Sequence, residues 1–221
     1  MNFQTATLKQ SDGFINKVFS IFGLALLVTG LGVWTGFQYM LPVFAANPLS
    51  MYALFGLELI LIFTSRRWHT IEPLNKFLFA LFAFSSGMTI VPLIANFALE
   101  FGSYDIIFNS LFSTTATFMA MALIGWTSKR SFVGLRGFLF MSLLGLLIVS
   151  IVGIFLPWGN TGEMLVSGFG VLIFAGYTMV DIQRLKHYQD DQYILAAMQL
   201  YLDIFNMFIF ILRLTGALSR D

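Results

Sequence analysis

The chain has 221 residues, of which 58% are hydrophobic and only 10% charged, with a net charge of +1 and no cysteine. Soluble domains are about 25% charged, so water is the wrong solvent for this surface and lipid the expected one. The balanced charge excludes whole-molecule attraction to nucleic acid, and the missing thiols exclude disulfides and thiolate chemistry.

A spanning helix needs about 20 mostly apolar residues. In chain order seven stretches qualify, at roughly 18–41, 49–65, 74–98, 105–127, 135–157, 163–183 and 193–216. Short connections join them, and no linker or low-complexity stretch separates domains. The pattern predicts an all-α membrane protein: a single seven-helix bundle over residues 1–221 with a tail at 1–16. VFAAN (43–47) loosely resembles a cleavage site, but the apolar run before it is about 24 residues, beyond the 7–15 of a signal peptide.

Lys and Arg set the orientation. Lys9 and Lys17 lie in the tail, Arg66, Arg67 and Lys76 after segment two, Lys129, Arg130 and Arg136 after segment four, and Arg184 and Lys186 after segment six. The alternate loops, about 42–48, 99–104 and 158–162, carry none. This predicts a cytoplasmic N-terminus in the plasma (inner) membrane and, with seven crossings, an outer C-terminus. Arg213 and Arg220 are the exceptions. A seventh segment that re-enters would instead leave both ends cytoplasmic. Trp34, Trp68, Trp126 and Trp158 fall near segment ends, as an interfacial belt requires.

Segment two holds an intramembrane acid, Glu58, in FGLELILIF (55–63), with nothing local to neutralise it. It is read either as a protonated group bonded to a neighbouring helix or as part of an ion path. Segment three holds SSGMTIVPLI (85–94). Gly87 and its serines permit close helix approach, and Pro92 removes a hydrogen bond and predicts a kink. Segment six ends in GYTMVDIQRLKH (176–187), with Asp181 ahead of Arg184 and Lys186. One reading pairs Asp181 with Arg184 at i+3.

Segment seven carries Gln199, Asp203, Asn206 and Arg213 on one helical face. Acyl chains offer that stripe no hydrogen-bond partner, so it must face protein or internal water. Segment seven is therefore expected at the centre, surrounded by the other six. Gln199 and Asn206 are read as either helix-joining contacts or functional groups. If segments six and seven form a hairpin about Asp190–Asp191, Asp203 lies about 4.5 Å deeper than the residue opposite Asp181, and the two carboxylates can meet. Carboxylates in a bilayer mark functional sites by default. Two in contact cannot both ionise cheaply, which makes the pair a proton sensor. Ionised, it offers the hard oxygens that Ca²⁺ prefers.

The motifs GYTMVDIQRLKH (176–187) and LYLDIFNMFIFILRLTG (200–216), supported by SGMTIVPLI (86–94) and Glu58, resemble the Bax inhibitor-1 family in its short bacterial form. The resemblance covers nearly the whole chain. It implies seven helices with the seventh enclosed, and a pH-sensitive calcium leak gated by an aspartate pair that matches Asp181 and Asp203. It also implies a basic residue after segment two that latches the pair; in TSRRWH (64–69) that residue is Arg66, Arg67 or His69. Glu58 and Asn206 become candidates for the ion path. Calcium is then cargo, with no cofactor. Bacterial relatives also include modulators of a membrane-bound protease, which gives the competing reading of a regulator without transport. Catalysis is not expected. The segment-seven aspartate sits in YLD (201–203), without the glycine motif of intramembrane aspartyl proteases. Segment seven has no lysine for a retinal Schiff base, and the two histidines, His69 and His187, fall in predicted loops.

Overall fold

Without water to satisfy backbone N–H and C=O groups, long apolar stretches fold as helices. The computed structural model describes residues 12–156 and 159–220. Lys9, most of the expected tail and Trp158 lie outside the described residues. Among the described residues there is no strand. The α-helices are α1 (Asp12–Thr35), α2 (Leu41–Ala46), α3 (Leu49–Trp68), α4 (Leu74–Thr89), α5 (Val91–Phe101), α6 (Asp105–Thr127), α7 (Arg136–Phe155), α8 (Gly159–Arg184) and α9 (Tyr193–Ser219). They make seven stretches long and apolar enough to cross a membrane.

The first stretch is longer than its hydropathy alone suggests. A π-helical turn, Gly36–Met40, joins α1 to α2, so one rod runs over Gly13–Ala46. The third stretch breaks where Pro92 predicts. α4 ends at Thr89, and Pro92 occupies the first turn of α5, where its missing N–H has no helical partner to lose.

Helix α9 is central. Residues on opposite faces, among them Ile194, Leu200, Tyr201, Met207 and Leu212, are all fully buried. Its most extensive contacts are with α8, α6, α1 and α4, while α3 leans on α4 and α7 on α8. Enclosure by all six other segments is thus shared unevenly, because α3 and α7 pack mainly on the inner ring. The outer helices expose Leu27, Leu31, Phe63, Phe112, Ile148 and Phe155, an apolar surface suited to lipid.

α9 does not turn back. It is one helix of 27 residues, about 40 Å long. At its start, Lys17 of α1 lies 4.6 Å from the centre of the Tyr193 ring. The Tyr193 hydroxyl donates to Glu72 Oε1 at 2.6 Å. That bond and one from Lys76 hold the Glu72 carboxyl below its usual range. Just beyond its far end, Arg220 donates to both oxygens of Glu100 (2.6 and 2.9 Å) and to Glu163 (2.6 Å). This clamp ties the ends of α5 and α9 to the start of α8. It accounts for Arg220 standing away from the other cations.

Trp34 and Trp126 are exposed, as a belt requires, but Trp68 is buried and donates to Thr64 Oγ1 at 3.1 Å. It packs into the core because it faces the bundle from the last turn of α3.

The crossing of α1 and α4 depends on two glycines. A Cβ on Gly87 would lie 2.2 Å from the Thr29 carbonyl oxygen, and one on Gly32 would lie 2.2 Å from that of Phe84. Gly145 has nothing within 4 Å. Gly87→Ala should therefore lower stability by about 1–3 kcal/mol through overpacking, read as a fall in the unfolding temperature in detergent. Gly145→Ala should be neutral or slightly stabilising. Equal stability of the two variants would contradict the crossing.

Candidate functional site

Hairpin packing of α8 on α9 brings Asp181 and Asp203 into one interior region. Asp181 is 6% exposed and Asp203 4%. Asp203 lies within Coulombic reach of Asp181, and Tyr177 within reach of both. The two carboxyls do not hydrogen-bond each other. Asp181 Oδ1 accepts from Arg184 Nη1 at 3.0 Å, the i+3 pairing that the sequence left open. Among the described residues, Asp203 Oδ2 has no hydrogen-bond partner, and nothing apolar around it compensates for lost water.

Arg184 is held from three sides. Besides Asp181, it donates to Gln199 Oε1 at 3.3 Å, and its guanidinium carbon lies 5.4 Å from the centre of the Tyr188 ring. The Tyr188 hydroxyl donates to the same Gln199 oxygen. Gln199 therefore fixes the cation that holds Asp181. The remaining stripe residues differ. Asn206 donates to the Leu202 carbonyl of its own helix at 2.7 Å, and it is half-buried with Arg213.

Arg184 also lines a cavity of about 590 Å³ at the basic end of the bundle. Arg66 and His69 of the expected latch line it as well; Arg67 does not. Among the described residues, none of these three forms a salt bridge. The cation paired with Asp181 in this structure is Arg184 of α8. The reason is local: at i+3 on one helix, Arg184 reaches Asp181 without bridging the cavity.

Glu58 belongs to a different cluster. Its Oε1 accepts from Thr89 at 2.9 Å, and Ser86 lies within hydrogen-bond reach of both Glu58 and Tyr201. The Tyr201 hydroxyl pairs with Thr29 at 2.8 Å. Tyr201 and Asp203 are two residues apart on α9, about 200° around the helix. Tyr201 faces Phe79 and Phe82 of α4, whereas Asp203 faces Asp181 of α8. The structure does not bring Glu58 to the aspartates. Its neighbours satisfy it as a joint between α3, α4 and α9.

Three residues near the aspartates carry no functional reading in the sequence, although Tyr177 lies inside the motif at 176–187. Tyr177 stands one turn before Asp181, a spacing that marks the same face. Tyr188 and Arg136 had no such signal. Arg136, from the start of α7, reaches Asp181 electrostatically through the fold alone. Among the described residues, no group of three or more His, Cys, Asp or Glu gathers to hold a resident metal.

If Asp181 repels an ionised Asp203, removing the second charge should stabilise the bundle at high pH. Asp203→Asn should unfold at a higher temperature than the wild type at pH 8. The difference should shrink on acidification, as protonation discharges the wild-type pair. A difference that is absent at pH 8, or that grows at low pH, would count against the proximity of the two groups.

The family described as "Inhibitor of apoptosis-promoting Bax1" matches residues 11–220. Bax inhibitor 1 of Schizosaccharomyces pombe is 31% identical over 94% of this chain and 77% of its own. The Golgi anti-apoptotic protein of Vaccinia virus (strain Lister) is 31% identical over 91% of this chain and 84% of its own. An uncharacterized membrane protein of Streptococcus pyogenes serotype M3 is 30% identical over 94% of this chain and 95% of its own.

Proposed function

The chain belongs to the Bax inhibitor family of multi-pass membrane proteins, and from that premise we propose that it is a pH-sensitive calcium leak gated by Asp181 and Asp203. The observation that carries this reading is the Asp203 carboxyl: buried, without a hydrogen-bond partner on Oδ2, and beside a second carboxyl. An oxygen left in that state is a ready ligand for a hard cation. Nearby, Arg184 holds Asp181 and faces a cavity open to the basic end. A cation entering there meets guanidinium charge first, so this arrangement is the closed one. Protonation of Asp181 dissolves its ion pair with Arg184, and protonation of either carboxyl removes a calcium ligand. Latch and ligand therefore respond to the same titration.

Calcium in this reading is cargo. It takes six to eight oxygens, more than two carboxylates supply, so water and Gln199 complete its shell during passage. No cofactor and no catalysis are invoked. The basic end is cytoplasmic by the distribution of Lys and Arg, in the inner membrane of a bacterium.

The test is calcium flux by purified protein in liposomes across pH. Wild type should pass calcium with a marked pH dependence. Asp181→Asn and Asp203→Asn should flatten it, and Arg184→Gln should raise the leak several-fold at neutral pH. Identical flux by wild type and Asp203→Asn at every pH would remove the gate.

A second reading draws on the names of the relatives, which describe an inhibitor and an anti-apoptotic protein rather than a transporter. The chain would then regulate a membrane partner, such as a quality-control protease, through the 1–16 tail and the basic loops. Recovery of a cross-linked partner that depends on the tail and not on the aspartates would favour it.

A further inference from the structure

The cavity at the basic end has a chemistry of its own. Its charged lining consists of Arg66, Arg136 and Arg184, joined by His69 and His187, the only two histidines of the chain. Among the described residues, no carboxylate lines it. These cations come from separate places in the sequence: the end of α3, the start of α7, and the end of α8 with the turn after it. The fold converges them on one space.

Several other cations at this end are engaged elsewhere, whereas Arg67, Lys129 and Arg130 form no salt bridge among the described residues but lie outside the cavity lining. Lys76 pairs with Glu72 at 3.3 Å. Lys186 bonds the Trp126 carbonyl at 3.2 Å and lies against its ring. Lys17 lies against the Tyr193 ring. Arg184 is neutralised by Asp181. Arg66 and Arg136 form no salt bridge among the described residues. Both are exposed, so water screens them from each other, and an anion bound between them would add direct charge pairing to two guanidiniums that otherwise lack it. The start of α9 and the end of α3 both border the space, so helix dipoles of opposite sign offset there. The electrostatics come from the side chains.

We infer that this cavity is a binding site for a phosphate-class oxyanion, gripped by Arg66 and Arg136. Guanidinium forks match phosphate oxygens two at a time. At about 590 Å³ the space has the size of a small-molecule site, large enough for a phosphate group with its substituent. Gln192 and Gln199 also line it and offer neutral donors. A free phosphate compound and the headgroup of an anionic lipid share this chemistry. The site stands whether or not ions cross the bundle, and it meets the aspartates through Arg184, which pairs with Asp181, and through Arg136, which reaches Asp181 electrostatically.

The test uses the full chain in nanodiscs of pure phosphatidylcholine, with inorganic pyrophosphate as the probe at constant ionic strength. Pyrophosphate at a hundredfold excess over its Kd should raise the unfolding temperature by about 5–10 °C. The double variant Arg66→Gln, Arg136→Gln should bind at least tenfold more weakly, and Arg67→Gln, outside the cavity, should match the wild type. The same titration in nanodiscs containing phosphatidylglycerol separates the sources. A shift that persists identifies a free anion. A shift that disappears, with phosphatidylglycerol retained by wild type and lost from the double variant, identifies a lipid headgroup. If pyrophosphate gives no shift and phosphatidylglycerol is not retained, or if the double variant binds as the wild type does, the site does not exist.

Discussion

The structure turns on the burial of two carboxyls in a bundle built for lipid. A lone carboxylate in such surroundings is expensive. Asp181 is made tolerable by Arg184, which is itself fixed by Gln199 and the Tyr188 ring. Asp203 has no such companion on Oδ2. The placement of α9 follows from this. Its polar stripe cannot face acyl chains, so the helix is drawn to the centre, and its apolar residues are buried along with it. Gly32 and Gly87 then let α1 and α4 close tightly on that side of the bundle.

Two polar systems share α9 without merging. On one side Tyr201 joins Thr29, Ser86 and Glu58, a closed set of hydroxyls around one acid. On the other, Asp203 and Asp181 stand beside Tyr177 and Arg184. The first set is satisfied and joins helices. The second retains an unmet acceptor and a cation at the edge of a cavity, the combination expected of a group that changes partners. At the far end, the Arg220 clamp on Glu100 and Glu163 ties three helix ends together, and a cavity lies at the basic end.

Much of this was legible in the sequence because the bilayer leaves few choices. Seven apolar stretches, the break before Pro92, the small residues around Gly87 and the facing positions of Asp181 and Asp203 all follow from length, period and solvent. The partner of Asp181 stays open in the sequence, since Arg184 at i+3 and Arg66, Arg67 or His69 after segment two are all available until the helices are placed. Arg136 was unreadable, because its approach to Asp181 depends on how α7 leans on α8. Glu58 reads either as a protonated group joining helices or as part of an ion path, because its depth does not say which side of α9 it faces. Trp68 sat near a segment end like its fellows, but the rotation of α3 turned it inward.

The central claim is that Asp181 and Asp203 act on each other in a dry interior, and a double-mutant cycle measures that directly. Asp181→Asn, Asp203→Asn and the double variant would be unfolded by heat in the same detergent at pH 8. The account predicts that the two substitutions are non-additive by about 1 kcal/mol or more, within the range found for residues in contact. Additivity to within about 0.3 kcal/mol would mean that the carboxyls ignore each other, and the gate would lose its physical basis.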